Sequence, residues 1–251
     1  TQWFSVWLPG KPEPDWTSLA SDSIKILRSI RHARKLKRGA LSGNRFEITV
    51  RDWQGDQAKT LEQLALIKAK GIANYYGEQR FGNQGQNVNK ALAMFSGMKT
   101  GREQRSLYLS ATRSYLFNQI LGARVATGTW NQALAGDTFM FDGSKSCFKS
   151  QLPDAEILRR LEAKTIHPSG ILWGKGPLDV SADALVIEQK LIDSHHDLAQ
   201  GLIASGVEKA RRALRVNVEN LDWQFSNQAT LQLCFTLPAG SYATSVLREI
   251  I

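Results

Sequence analysis

The sequence predicts an α+β fold in which a mixed, mainly antiparallel sheet is built from the two ends of the chain. A largely helical α/β region is expected between them. Apolar and polar residues alternate with period two over residues 46–50 and again over residues 231–237, as in half-buried strands. The segments between these strands show mostly helical spacing of apolar residues. A helical block between two strand-rich ends is typical of an inserted domain.

The individual elements follow from local patterns. Residues 1–8 predict a first strand, and Thr60 begins a Thr-x-x-Gln capping box for a helix that ends before Gly71. The glycine-rich residues 170–177 predict a loop. Further helices are expected over residues 107–123, 154–164, 183–205 and 207–214, and a further strand within residues 214–225.

The composition indicates a globular protein with a polyanionic partner. The chain has 251 residues, of which 42% are hydrophobic and 22% charged, and these fractions exclude a disordered chain. The net charge is +9 at pH 7. Each phosphate that a basic side chain neutralises releases condensed counterions, so this excess of positive charge favours a nucleic acid.

Cysteine usage and hydropathy indicate where the protein works. Cys147 and Cys234 are far apart in the chain and form no Cys-x-x-Cys pair, which argues against a disulfide framework and fits a reducing compartment. No run of 18 apolar residues exists, and residues 1–8 lack the basic region of a signal peptide. We therefore expect a cytoplasmic protein with no membrane span. Because Met is absent at residue 1, we also expect the chain to start partway into a longer protein or to have been trimmed.

One stretch, residues 25–46, carries basic residues without any acidic residue. A solvated charged face would normally mix both signs, so the stretch favours contact with phosphates. The residues that we expect to bind RNA here are Arg31, Arg34, Lys35, Lys37 and Arg38. A second basic cluster, residues 209–212 with Arg215, is expected on a helix, where an RNA-facing patch and a solvated face are equally acceptable.

The most informative segment is residues 74–82, which contain three aromatic residues, an arginine and two glycines. Glycine allows close approach to a ligand, aromatic faces stack on bases, and arginine pairs with phosphate. Gln79 and Arg80 are therefore candidate RNA ligands. Alternatively, the segment is a tight turn with buried aromatic residues. Gln79, Arg80 and Arg113 could each contact RNA or fix the interface between the two domains, and the two roles are equally acceptable.

Several other kinds of site are excluded by spacing. His195 and His196 are adjacent on a predicted helix, where their side chains diverge, and no His-Glu-x-x-His motif occurs, so no metal site is predicted. Residues 143–146 resemble the end of a phosphate-binding loop but lack its opening glycine. These residues alone predict an RNA-binding protein of mixed α and β structure without a visible catalytic group.

Four ordered segments carry a resemblance to a known family. They are residues 39–46, with Gly-Asn-Arg-Phe, residues 74–82, residues 105–118 and residues 237–245, with Pro-Ala-Gly-Ser-Tyr-Ala-Thr. Together they resemble the TruD family of tRNA pseudouridine synthases, and the resemblance runs over residues 1–251. It implies the pseudouridine synthase fold and an enzyme that isomerises uridine to pseudouridine at position 13 of tRNA. Such an enzyme uses one aspartate nucleophile and neither metal nor cofactor.

The resemblance also implies the site residues. Asn44 matches an asparagine whose amide can form a hydrogen bond near the aspartate or the uracil. Phe46 matches a phenylalanine that stacks on the target base, and Tyr242 matches an aromatic residue with the same role. The nucleophilic aspartate would lie about six residues before Thr1. An alternative for Phe46 is a place in the core with Ile48 and Val50. An alternative for Tyr242 is packing beside a helix N-terminus that begins at Ser241.

The expected domains follow from the distribution of strands and helices along the chain, and they agree with the same resemblance. Residues 1–70 and 216–251 would form the catalytic domain, and residues 71–215 the insertion domain. A monomer is expected. The alternative function is a non-catalytic tRNA-binding protein or RNA chaperone that has the same fold.

Overall fold

The computed structural model describes residues 1–37 and 41–250. They fall into two compact units, Thr1–Ser42 and Gly43–Ile251, and each unit is described by itself. The predicted RNA ligand Arg38 lies outside the described residues. No helix in the described part of the chain is long and apolar enough to cross a membrane.

The first unit contains little regular structure. Trp16–Leu19 forms a 3-10 helix whose first turn is capped by Asp15, since its side chain accepts a hydrogen bond from the backbone of Thr17. An isolated bridge joins Ser21 and Ile24. The strand predicted over residues 1–8 is wrong: no strand is described there. A strand needs a neighbour to accept its backbone hydrogen bonds, and local alternation does not supply one.

In the second unit, strands from both ends of the sequence form one antiparallel sheet. Its strands are β1 (Gly43–Val50), β8 (Glu219–Asn227) and β9 (Thr230–Pro238), in the order β1-β9-β8. Phe46 of β1 lies opposite Phe235 of β9, and Ile48 lies opposite Leu233. The pairing of residues 46–50 with residues 231–237 agrees with the sequence pattern.

One face of this sheet packs on helix α1 (Gln57–Lys70), which contributes Leu64 and Ile67 to the same core. The helix begins earlier than expected. Its N-cap is Asp56, whose carboxylate accepts hydrogen bonds from two backbone amides, and Thr60 is a buried residue of the helix interior. The capping box predicted at Thr60 is therefore wrong, whereas the predicted end at Gly71 is confirmed.

The middle of the chain holds the remaining helices and two further sheets. The helices are α2 (Gln86–Phe95), α3 (Arg102–Ala126), α4 (Ala155–Glu162), α5 (Ala182–Ser194) and α6 (His196–Ala204), and the short α7 (Ala243–Leu247) follows β9. The strands of these two sheets are β2 (Ile72–Ala73), β3 (Thr138–Phe141), β4 (Cys147–Lys149), β5 (Ile166–Leu172), β6 (Ala210–Ala213) and β7 (Arg215–Val216). β2 pairs with β7, and the others form an antiparallel sheet in the order β4-β3-β5-β6.

Two expectations for this region are wrong. Residues 207–214 were expected to be helical, but β6 pairs with β5, as in Arg211 opposite Ile171. The loop expected over residues 170–177 begins only after β5 ends at Leu172. Tertiary contacts explain the strand: the Arg211 guanidinium is 2.6 Å from the Glu188 carboxylate, and both side chains are buried. Pairing with β5 and this ion pair are both non-local contacts, and tertiary contacts of this kind override a weak local preference for helix.

The four-stranded sheet contains a buried histidine between two charged groups. The guanidinium of Arg215 donates to Nδ1 of His167 at 2.9 Å, so Nε2 carries the proton and donates to Asp142 at 2.8 Å. Burial lowers the pKa of Arg215 to about 10. Burial also lowers the pKa of His167, the cations of Arg215 and Lys164 lower it further, and Asp142 opposes them. The folded protein therefore holds this imidazole neutral.

This arrangement predicts a loss of stability in mild acid. Because the folded-state pKa of His167 lies below its ordinary value of 6.5, the unfolded chain takes up the proton first as the pH falls. The contribution of His167 to the free energy of unfolding is fully present above that value and is lost as the pH falls below it. Urea unfolding at about pH 8 and about pH 5.5 should show this decrease, and His167→Gln should reduce it. Equal pH dependence in the variant and the parent protein would contradict the assignment.

Candidate substrate-binding site

Asn44 and Phe46 lie on the same face of β1, as the alternation predicts. Asn44 is exposed and pairs with Leu237, and Phe46 is half-buried and pairs with Phe235. The two phenylalanine rings are 5.4 Å apart between centroids. Phe46 packs against the core, as the alternative role of a core residue requires. It also leaves part of its side chain accessible, as stacking on a base requires.

At the first residue of β1 the backbone lies very close to β9. A Cβ atom at Gly43 would lie 2.5 Å from the carbonyl oxygen of Leu237, so only glycine fits here. Gly43 pairs with Pro238, the last residue of β9. The backbone beside Asn44 is thus held against the start of the turn that leads to Tyr242.

Tyr242 follows that turn and precedes α7. The amide of Ser241 donates to the carbonyl of Pro238 at 3.2 Å, and Gly240 has a φ of +87°, a conformation that favours glycine. Tyr242 is half-buried, and its ring meets the ring of Tyr76 edge to face at 6.0 Å. The turn at the end of β9 therefore presents Tyr242 to the 74–82 segment.

The 74–82 segment packs closely on Tyr242. Gly77 lies so near that a Cβ atom there would be 2.9 Å from the Tyr242 ring and 2.9 Å from the Thr244 hydroxyl. Asn74 is buried, and its amide donates to the carbonyl of Ala213 in β6 at 2.9 Å. Asn118 of α3 bonds both the amide and the carbonyl of Tyr76, at 2.9 and 3.0 Å. The segment is thus tied to β6, α3 and the start of α7.

Two guanidinium groups lie near the ring of Tyr76. The Cζ atom of Arg212 is 4.0 Å from the ring centroid, and that of Arg80 is 5.4 Å from it. Both distances are within the range of a cation–π contact. Arg80 also donates to Ser110 of α3 at 3.2 Å, and neither arginine is within 4.0 Å of a carboxylate of the described residues. Both guanidinium groups therefore pack against the Tyr76 ring without an acidic partner among the described residues.

Gln79 lies at the surface beside a shallow concavity. This cavity of about 400 Å³ is formed by the backbone and side chains of Glu78, Gln79 and Phe81–Gly85. Gln79 is exposed, whereas Arg80 is half-buried. The two predicted RNA ligands therefore differ. Gln79 is open to solvent, whereas the guanidinium of Arg80 already contacts the Tyr76 ring and donates to Ser110.

Arg113 has a structural environment. Its guanidinium donates to three backbone carbonyls, those of Leu172, Trp173 and Glu208, at 2.8 to 3.0 Å. Burial lowers the pKa of this guanidinium. These three partners and Arg113 all lie within residues 71–215, so the bonds hold segments of the expected insertion domain together and support neither an RNA contact nor an interface between the two expected domains.

The basic stretch belongs largely to the first unit. Arg31, Arg34, Lys35 and Lys37 are all exposed. Arg31 lies 3.6 Å from the carboxylate of Glu13 and donates to a backbone carbonyl. Exposed cations of this kind are available to phosphates.

The sequence did not single out Tyr76, Asn118 or Arg212 individually. The 74–82 and 105–118 segments contained the first two, but Arg212 was placed on a helix. On strand β6, neighbouring side chains point to opposite faces. Arg211 therefore reaches Glu188, while Arg212 reaches Tyr76. The signal that could have separated them is the alternation of the strand.

Metal-ligating residues do not cluster in the described part of the chain. Within residues 1–37 and 41–250, no group of three or more His, Cys, Asp or Glu side chains is arranged to hold an ion.

Comparison with known proteins identifies the family. A family model described as tRNA pseudouridine synthase D (TruD) matches residues 1–94 and 85–250. The chain is 49% identical to the tRNA pseudouridine synthase D of Methylococcus capsulatus and 45% identical to that of Hydrogenovibrio crunogenus. These alignments cover 100% and 99% of the chain and 72% of each relative.

A solved structure carries the same name. It comes from Methanosarcina mazei, is 21% identical and superimposes with a TM-score of 0.65, covering 86% of this chain and 70% of that one. This likeness confirms the predicted α+β fold. The match to the family model over most of the sequence and the relatives at 49% and 45% identity show that the chain belongs to the TruD family.

Proposed function

We propose that this protein isomerises a uridine of tRNA to pseudouridine, at position 13. The observation that carries the proposal is the membership in the TruD family over the whole described sequence. The clustered aromatic, amide and arginine side chains support it, because a base that has left its stack needs flat surfaces and hydrogen-bond partners.

The reaction exchanges one glycosidic bond for another. The N1–C1′ bond breaks, the uracil rotates, and C5 bonds to C1′; the proton on C5 is then lost to solvent and N1 gains one. We place the nucleophilic aspartate about six residues before Thr1, where it attacks the sugar or the base. The reaction needs no metal and no cofactor, because it is an isomerisation without net oxidation or reduction: the C1′–N1 bond is replaced by a C1′–C5 bond, and the C5–H bond by an N1–H bond.

We assign the substrate-binding roles to three residues of the second unit. Phe46 and Tyr242 stack on the extruded uracil from β1 and from the turn after β9. Asn44, exposed two residues before Phe46 on the same strand face, offers an amide to the uracil or to the aspartate. Pairing of β1 with β9 supports this grouping, because it holds Asn44 beside the start of the turn to Tyr242.

We further propose that residues 1–70 and 216–251 form the catalytic domain and residues 71–215 the insertion domain of a cytoplasmic monomer. The pairing of β1 with β9 supports the first group, and the separate β4-β3-β5-β6 sheet supports the second. Gln79 and Arg80 would contact tRNA at the edge of the insertion.

The experiment that tests the proposed function maps pseudouridine in tRNA. Cells without the gene should lack pseudouridine at position 13 of the substrate tRNAs, as read by carbodiimide modification and primer extension. The complete gene product should restore it. Continued presence of the modification would contradict the proposal, and tRNA binding without modification would favour the RNA chaperone.

Electrostatics predict a further result for the basic stretch. Replacing Arg31, Arg34 and Arg38 by Ala should flatten the dependence of tRNA affinity on salt. Each lost phosphate contact should reduce the slope of log affinity against log salt by about 0.9 for duplex RNA contacts and by somewhat less for single strands. Filter binding at several salt concentrations measures the slope.

A charge-matched variant is the control. Lys145, Arg159 and Lys190 are exposed and lie outside the proposed RNA ligands, so their replacement by Ala removes the same charge. We expect the control slope to stay closer to that of the parent protein. Equal slopes in both variants would show that the basic stretch acts only through net charge.

A further inference from the structure

Arg212 makes a set of contacts that no charge pattern accounts for. Its Nη2 donates to the Asn74 side-chain oxygen at 2.6 Å and to the Gly240 carbonyl at 3.1 Å, and its Nε donates to the Asn74 carbonyl at 3.3 Å. All three acceptors are neutral. They come from two segments that lie far apart in the sequence.

These contacts depend on the shape of the guanidinium. A planar group with fixed donors can bond to Asn74 and Gly240 together while its face covers an aromatic ring, which an ammonium cannot do. Asn74 is a firm anchor, since its own amide donates to Ala213, the residue after Arg212. Burial lowers the pKa of Arg212. We call Arg212, Asn74 and Gly240 together the clamp, and its guanidinium is supplied by the edge strand β6.

Two routes connect this clamp to Tyr242. Gly240, which accepts from Arg212, lies two residues before Tyr242 in the turn. Tyr76, which lies 4.0 Å from the Arg212 Cζ atom, contacts the Tyr242 ring edge to face at 6.0 Å. A displacement of the guanidinium would therefore reach Tyr242 through its backbone and through its ring.

We propose that Arg212 is a positioning residue for the isomerisation. It holds the turn at Gly240 and the ring of Tyr76 so that Tyr242 meets the extruded uracil in the productive orientation. Arg212 itself touches neither the uracil nor the phosphates. This inference rests on the proposed function and on the role of Tyr242 within it.

The test compares Arg212→Lys, Arg212→Ala and Tyr242→Ala, and combines Arg212→Lys with Tyr242→Ala, in the complete gene product. Single-turnover tritium release from C5-labelled uridine in tRNA gives the rate, and filter binding gives the affinity. The matched control is Arg124→Lys. Arg124 is a buried arginine that donates to the backbone carbonyls of Thr129 and Gln132 and pairs with the carboxylate of Asp137, and it has no hydrogen bond to the Tyr242 turn among the described residues.

We expect Arg212→Lys to slow tritium release about tenfold or more while tRNA affinity changes by less than about twofold, because misplaced groups lower rate rather than binding. The double variant should be no slower than Tyr242→Ala alone, since both changes disable the same contact. Arg124→Lys should react at the parental rate at temperatures where thermal unfolding shows it to be folded.

Three results would overturn the inference. The first is a parental rate of tritium release in Arg212→Lys, and the second is a double variant whose rate shows the two single effects multiplied. The third is a loss of tRNA affinity in Arg212→Lys with a smaller slope of log affinity against log salt, which would make Arg212 a phosphate ligand. If the parent protein released no tritium, the proposed function would fall as well. An active parent protein with an inactive Tyr242→Ala variant separates the two failures.

Discussion

Phe46→Ala is expected to lower the rate of pseudouridine formation about 10- to 100-fold, since a base–aromatic stack contributes roughly 1–3 kcal/mol and 1.4 kcal/mol is tenfold in rate. The uracil must leave its stack before it can react, and Phe46 offers it a partly accessible face on β1. Affinity for tRNA should change little, because phosphate contacts dominate it. Tritium release and filter binding measure the two quantities.

Two further variants separate stacking from packing. Phe46→Leu keeps much of the volume against Phe235 but removes the flat face, so it should also be slow. Val50 lies on the same strand and packs against the same core, so the folded Val50→Ala variant should form pseudouridine at the parental rate. A near-parental rate in Phe46→Ala would make Phe46 a core residue. Equal loss in Val50→Ala would show that the effect comes from the sheet.

Phe235→Ala should cause the largest loss of stability, about 3–5 kcal/mol in the free energy of unfolding. Phe235 is fully buried at the centre of β9, between β1 and β8, and its ring packs on Phe46. Removing it leaves a cavity in the sheet that joins the two ends of the sequence. Urea unfolding at neutral pH measures the change.

Thr236→Ala is the control for this prediction. Thr236 is the next residue of β9, so its side chain lies on the opposite face of the sheet from the core. It should change the free energy of unfolding by no more than about 0.5 kcal/mol. A loss below about 1 kcal/mol in Phe235→Ala would show that the core of this unit does not depend on the β1–β9 pair.

The sequence predicted those parts of the fold that show a clear period. Strands β1 and β9 alternate cleanly, because one face packs on α1 and the other stays polar, and both were found. Strand β5 is buried at nearly every position and so shows no alternation. Strand β6 has exposed or half-buried residues throughout and two adjacent arginines, which suggest a solvated helix. Both were missed for these reasons.

The same distinction applies to the candidate site. Asn44, Phe46 and Tyr242 were predicted from family motifs, and local patterns alone gave them no role. The arrangement around Tyr76 required the structure, because its partners Arg212, Asn118 and Tyr242 come from a strand, a helix and a turn that are distant in sequence. Only tertiary packing brings such residues together.

The most direct test of the central claim is a structure of the complete gene product bound to tRNA. We expect the target uridine to be extruded from the RNA, with its base in contact with the rings of Phe46 and Tyr242 and within hydrogen-bond distance of Asn44. A uridine that stays stacked within the tRNA, or a base bound away from these three residues, would contradict the claim.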